Sequence, residues 1–122
     1  MLTNKNVIRR IKFNISLIGE MLVGKSAIFN YLKYNDFRED YLYYSLEIGI
    51  YIDEAIFDKK IIKFKIFDTL GQERYKKISN NYINISDGIM IIFSVIDRCS
   101  FEKIDEWMNL MIELIYQLNQ FF

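Results

Sequence analysis

The chain has 122 residues, 16 basic and 16 acidic, with no histidine, no proline and one cysteine. That length supports one small domain, the cancelling charge leaves no footprint for a nucleic-acid partner, and the missing histidine excludes a Ser-His-Asp triad. The single Cys99 excludes a disulfide framework, and 52 % apolar with 26 % charged residues is a globular balance.

From the N-terminus, MLTNKNVIRRIKFN has no apolar core of signal-peptide length. Lys5, Arg9, Arg10 and Lys12 are expected to form a solvated edge. The longest apolar run, Ile89 to Phe93, is too short to span a membrane. The expected location is therefore cytoplasmic.

Ile11 to Ile18, IKFNISLI, alternates and then becomes wholly apolar, which predicts a strand running into the interior. Gly19 follows, and a Gly-rich loop leads into SAIFNYLKY, where Ala27, Ile28, Tyr31 and Leu32 recur at helical spacing. Residues 35–47, polar and aromatic without a period, predict a loop. Ile48 to Phe57 and the run IIKFKIF, separated by Asp58, Lys59 and Lys60, predict an antiparallel hairpin. Tyr75 to Ser86 predicts a short helix. Gly88 to Val95 is continuously apolar, as in a strand covered on both faces. Residues 100–119 predict a helix with Ser100 as N-cap and a stripe of Phe101, Ile104, Met108, Met111, Ile112, Ile115 and Leu118. Strands alternating with helices define an α/β fold.

Two motifs carry chemistry. Gly19-Glu-Met-Leu-Val-Gly24-Lys25-Ser26 fits G-x-x-x-x-G-K-S/T between a predicted strand and a predicted helix. Such a loop wraps backbone N–H groups around a phosphate, so it needs residues tolerant of unusual dihedrals. Gly24 lets the backbone close in, Lys25 brings charge to the β- and γ-phosphates, and Ser26 offers a hydroxyl to Mg²⁺. The following helix turns its positive end to the same anion. A chance match in a chain this long has odds of roughly one in a few hundred. The second motif is Asp68-Thr-Leu-Gly71-Gln72-Glu73. An Asp ending an apolar strand suits a carboxylate near Mg²⁺, Gly71 can present its N–H to a γ-phosphate, and Gln72 can orient an attacking water.

With these residues the chain resembles the Ras-like small GTPases, and among them the Rab family. GEMLVGKS is similar to the phosphate-binding loop, IFDTLGQERY to the entry into switch II, and IGIYI at 48–52 to the segment after switch I. SVIDRCSFEKIDEW at 94–107 is similar to the stretch after the fourth strand, with Ser100, Phe101 and Trp107 at the family spacing. The likeness runs from Lys12 to about Leu114, with a longer switch I and a shorter hairpin. It implies a P-loop NTPase-like, partial Rossmann-type sheet, mostly parallel with one antiparallel hairpin and helices on both faces. GTP or GDP and Mg²⁺ are the implied cofactors. Gly19, Met21, Leu22, Val23, Gly24, Lys25, Ser26, Ala27 and Gly71 are the implied nucleotide contacts. Ser26, Asp68 and Glu47 are the implied metal ligands, and Gln72 the catalytic residue. The implied partners are effectors and exchange or activating proteins, at residues 45–52 and 67–76, with Ile48, Phe67 and Tyr75 on that face. The implied role is a switch in vesicle traffic, on the cytosolic face of endomembranes.

Departures from the family fall at the catalytic centre. Met21 and Leu22 stand where it mostly has Gly, Ser or Ala, and Leu70 where it has Ala. Glu47 stands where switch I offers a Thr, with Ser45 two residues earlier as a substitute. Impaired hydrolysis with retained binding is the expectation. Residues 1–122 read as one incomplete small-GTPase domain, ending after the third helix without the Asn-Lys-x-Asp guanine motif or the prenylated cysteines. This ending gives no support for membrane association. Three readings stay open: a Rab-like switch, a non-catalytic interaction module, and a truncated product without guanine specificity.

Overall fold

The computed structural model describes residues 9–35, 49–69 and 83–120. In chain order they form β1 (Arg9–Ile18), α1 (Lys25–Tyr34), β2 (Gly49–Phe57), β3 (Lys60–Asp68), β4 (Gly88–Ile91), α2 (Arg98–Glu102) and α3 (Ile104–Asn119). One four-stranded sheet has the order β2-β3-β1-β4. β1 lies parallel to both β3 and β4, and β2 pairs antiparallel with β3. This is the mostly parallel sheet with one antiparallel hairpin that the sequence predicts.

β1 is the centre of the molecule because both its faces are buried. Leu17 and Ile18 are both 0 % exposed, and successive strand residues point to opposite faces. Leu17 packs with Phe29 and Ile66, joined by Ile15, Tyr51, Phe64 and Ile92, under α1. Ile18 packs with Ile83, Trp107 and Leu114, joined by Ile89, Ile91, Leu110 and Met111, under α3. Burying each such side chain stabilises the fold by about 1.5–3 kcal/mol.

The hairpin turns tightly at Asp58 and Lys59, with φ of 48° and 58°. Two successive positive φ values mark a turn whose twist matches that of the strands. α1 ends where Asn35 takes φ 52° and its N–H bonds to the Tyr31 carbonyl at 2.8 Å. Asn tolerates that left-handed conformation.

Several expectations change. β4 ends at Ile91 rather than Val95, and among the described residues it is an edge strand, with Met90 50 % exposed. It is not covered on both faces. The last helical region starts at Arg98 and breaks at Lys103 into α2 and α3. Its N-cap is Asp97, whose Oδ1 accepts from the Ser100 N–H at 3.3 Å. Ser100 lies inside α2, 2 % exposed, where its Oγ accepts from the Ser94 N–H at 2.9 Å and donates to the Asp97 carbonyl at 2.7 Å. The hydroxyl thus closes the turn after β4 rather than starting the helix.

The buried stripe of α3 is Trp107, Leu110, Met111 and Leu114. Phe101, Met108, Ile112 and Ile115 are exposed, while Ile104 and Met111 of the predicted stripe are half-buried; the Leu118 side chain lies outside the described residues. α3 is apolar on more than one side, so periodicity offers two stripes, and the indole of Trp107 decides between them. On α1 the inward residues are Lys25 and Phe29, one turn apart, while Ile28, Tyr31 and Leu32 are exposed. The loop at 36–47, Ile48, and residues 70–82 lie outside the described residues, so the predicted helix is seen only at 83–85, which are helical. No helix among the described residues is long and apolar enough to cross a membrane.

Candidate functional site

The end of β1, the loop from Gly19 to Gly24, the start of α1 and the end of β3 meet at the C-terminal ends of the parallel strands. Gly19 has φ 143°, and a Cβ there would collide with the Ile92 carbonyl oxygen. The chain leaves β1 so close to the residue following β4 that only glycine fits. Ile92 N–H also donates to the Ile18 carbonyl at 2.8 Å, fastening the loop's root to the β4 end.

Gly24 is the N-cap of α1 at φ 105°, with no side-chain capping bond and no acidic residue in the first turn. The helix therefore keeps its uncapped N–H groups and positive end directed out of the loop, the arrangement that favours an anion. A Cβ at Gly24 would meet nothing within 4 Å, so its requirement is the dihedral, not space. Leu22 also has positive φ, at 61°, and its side chain is 92 % exposed. That conformation costs a branched side chain roughly 1–2 kcal/mol. Met21 is half-buried and Val23 9 % exposed.

Lys25 is 5 % exposed, and its ammonium donates to the carbonyls of Gly19 at 3.0 Å and Glu20 at 2.5 Å. The cation is thus held across the loop it belongs to. Trp107 Nε1 of α3 donates to Glu20 Oε1 at 3.2 Å. Ser26 and Ala27 follow in the first turn of α1, both half-buried.

Asp68 ends β3 and is 1 % exposed. Register places it beside Leu17 of β1 and Gly49 of β2, two residues before Gly19 is reached on β1. Thr69 is fully buried and its Oγ1 donates to the Leu17 carbonyl at 3.0 Å. That bond ties the β3 end to β1. Thr69 is not among the sequence-expected site residues, although a Thr directly after a strand-end Asp was the available signal.

A buried carboxylate and a helix-start hydroxyl are hard oxygen donors, which suit Mg²⁺. No group of three or more acidic, His or Cys side chains able to hold a metal exists among the described residues. Mg²⁺ characteristically takes one or two protein oxygens and completes its shell with phosphate and water. The residues present fit that ion. Glu47, Gly71 and Gln72, with Leu70, Ser45, Ile48 and Tyr75, lie outside the described residues. Phe67, the residue before Asp68 on β3, is 4 % exposed, with Lys65 Nζ over its ring at 5.6 Å. It is buried there rather than displayed.

Sequence comparison agrees with the geometry. The Ras family model matches residues 14–120. The chain is 33 % identical over 97 residues to the Ras-related protein RIC1 of Oryza sativa subsp. japonica, covering 80 % of this chain and 48 % of that protein. It is likewise 33 % identical over 97 residues to the GTP-binding protein YPTM2 of Zea mays, covering 80 % and 47 %. The chain belongs to the Ras family, and its motifs are Rab-like. It spans about half the length of the curated relatives it matches.

Proposed function

We propose that this chain is the nucleotide-binding part of a Rab-like GTP-binding switch acting in intracellular vesicle traffic. The observation that carries the reading is the bare, positive start of α1 with the Lys25 ammonium held at the loop mouth. An anion with several phosphates would take both the N–H groups and that cation. In this reading Gly19, Met21, Leu22, Val23, Gly24 and Ala27 line the phosphates, and Lys25 meets the β- and γ-phosphates. Ser26 and Asp68 hold Mg²⁺, which neutralises phosphate charge when bound. Glu47, Gly71 and Gln72 supply the remaining metal, γ-phosphate and water contacts, and residues 45–52 and 67–76 meet effectors and regulators. The protein acts in the cytoplasm or on the cytosolic face of endomembranes. Hydrolysis proceeds by positioning and charge stabilisation.

Equilibrium binding of Mg·GTP and Mg·GDP tests this, with ATP as competitor. The wild-type chain is expected to bind and Lys25→Ala to lose binding; equal affinity in the two rejects the assignment.

A second reading, a Rab-like interaction module that turns over slowly, is favoured by Met21 and by Leu22 at φ 61° in the loop. Single-turnover hydrolysis separates the two. A rate near that of an ordinary Rab removes the module.

A further inference from the structure

Glu20 has no place in the nucleotide contacts, yet both its carboxylate and its carbonyl are hydrogen-bonded. A carboxylate beside a phosphate site repels the ligand unless something draws it away. Here the indole N–H of Trp107 takes Glu20 Oε1 at 3.2 Å, across 87 residues of sequence. Lys103, one turn before Trp107, is also within electrostatic reach. Its ammonium is favoured chiefly by its bond to Glu106 and further by the Glu20 charge. Trp107 itself is 6 % exposed and packed with Ile18, the residue that leads into the loop. A buried indole N–H needs an acceptor. The acceptor here is the loop residue whose own carbonyl takes the Lys25 ammonium.

We propose that Glu20 is a positioning residue that joins the phosphate-binding loop to α3, so that occupancy of the loop is transmitted to Trp107. This rests on the nucleotide-binding reading above. The side chain of Glu20 is fixed by α3, and its carbonyl fixes Lys25. Arrival of phosphates draws on the same ammonium, loads the Glu20 peptide and shifts the carboxylate against the indole. The coupling is reciprocal: a partner that moves α3 changes loop affinity by the same factor as loop occupancy changes that partner's affinity.

Trp107 is the only tryptophan in the chain, so its emission reports on this contact directly. Wild type is titrated with Mg·GDP while tryptophan emission is followed, alongside Glu20→Ala, Glu20→Gln, Trp107→Phe and the Glu20→Ala/Trp107→Phe double variant. Wild-type emission is expected to shift on binding. Glu20→Ala is expected to shift the emission of the free protein, lose the response to Mg·GDP, and bind about tenfold more weakly, the worth of one charge-assisted bond. Glu20→Gln, which keeps an acceptor, restores the response. Trp107→Phe weakens binding as Glu20→Ala does, and the double variant is no weaker than either single one, because one contact is removed twice. If Glu20→Ala does not fold, Trp107→Phe and Glu20→Gln carry the test. Wild-type binding with an undiminished response and affinity in Glu20→Ala, or unaltered affinity in Trp107→Phe, overturns the coupling alone. Failure of wild type to bind any nucleotide overturns the nucleotide reading and the coupling with it.

Discussion

Thr69 Oγ1 donates to the Leu17 carbonyl at 3.0 Å, with Leu17 and Thr69 both fully buried. This bond holds the residue directly after β3 against the penultimate residue of β1, and so holds Asp68 beside the loop. Thr69→Val keeps the shape and removes the donor. Leaving the carbonyl short of a partner is expected to cost about 1–3 kcal/mol. Urea unfolding should show that loss in Thr69→Val, and Thr69→Ser should recover most of it.

Leu22 is a leucine at φ 61° with its side chain in solvent, so it carries backbone strain without packing in return. Leu22→Gly is expected to relieve the strain, offset by the freedom glycine gains when unfolded, for a net gain of about 0.5–1 kcal/mol. Thermal unfolding measures it. Because Leu22 is so exposed, Met21 is the better candidate for crowding a γ-phosphate, and Met21→Gly should raise single-turnover hydrolysis more than Leu22→Gly does.

Gly49 opens β2 directly beneath α1. A Cβ there would stand 2.6 Å from Phe29 Cε1 and 2.7 Å from Cζ. Phe29 is the apolar residue by which α1 enters the core, 4 % exposed. Gly49→Ala should displace that ring and cost about 1–3 kcal/mol. The double change Gly49→Ala/Phe29→Leu should be less destabilising than the sum of its parts, in chemical denaturation.

Tyr51, half-buried on β2, donates its hydroxyl proton to Asp53 Oδ2 at 2.6 Å, and the Glu54 N–H donates to Asp53 Oδ1 at 2.7 Å. The Tyr51 bond chiefly, and then the Glu54 N–H, hold the Asp53 carboxyl below its ordinary value. The same bond chiefly raises the Tyr51 hydroxyl above its own. The Asp53 contribution is therefore present above the ordinary carboxylate range and fades as pH falls below it. The Tyr51 contribution is present at neutral pH and fades as pH rises past the ordinary tyrosine range. Tyr51→Phe should flatten both limbs of a stability-against-pH curve, slightly, because the hydroxyl and the carboxylate meet in solvent.

Local chemistry was enough for much of this molecule. The strand before Gly19, the helix after Ser26 and the hairpin around Asp58 and Lys59 follow from apolar period and turn residues. The G-x-x-x-x-G-K-S loop was legible because the needs of such a motif are local: glycine dihedrals, a cation and a hydroxyl at set spacing. Likewise the family followed from four motifs in order, and the comparisons bear it out. What the tertiary structure alone decided were choices between equivalent faces and partners. α3 offers two apolar stripes, and the sheet selects the one carrying Trp107 because the large indole removes the most apolar surface from water there. Ser100 looks like a cap in sequence, but the turn after β4 brings Ser94 and Asp97 to its hydroxyl. The link from Glu20 to Trp107 spans 87 residues, a separation at which no local rule acts. It exists because β1 and α3 bury Ile18 and Trp107 together, which leaves the indole N–H facing the loop.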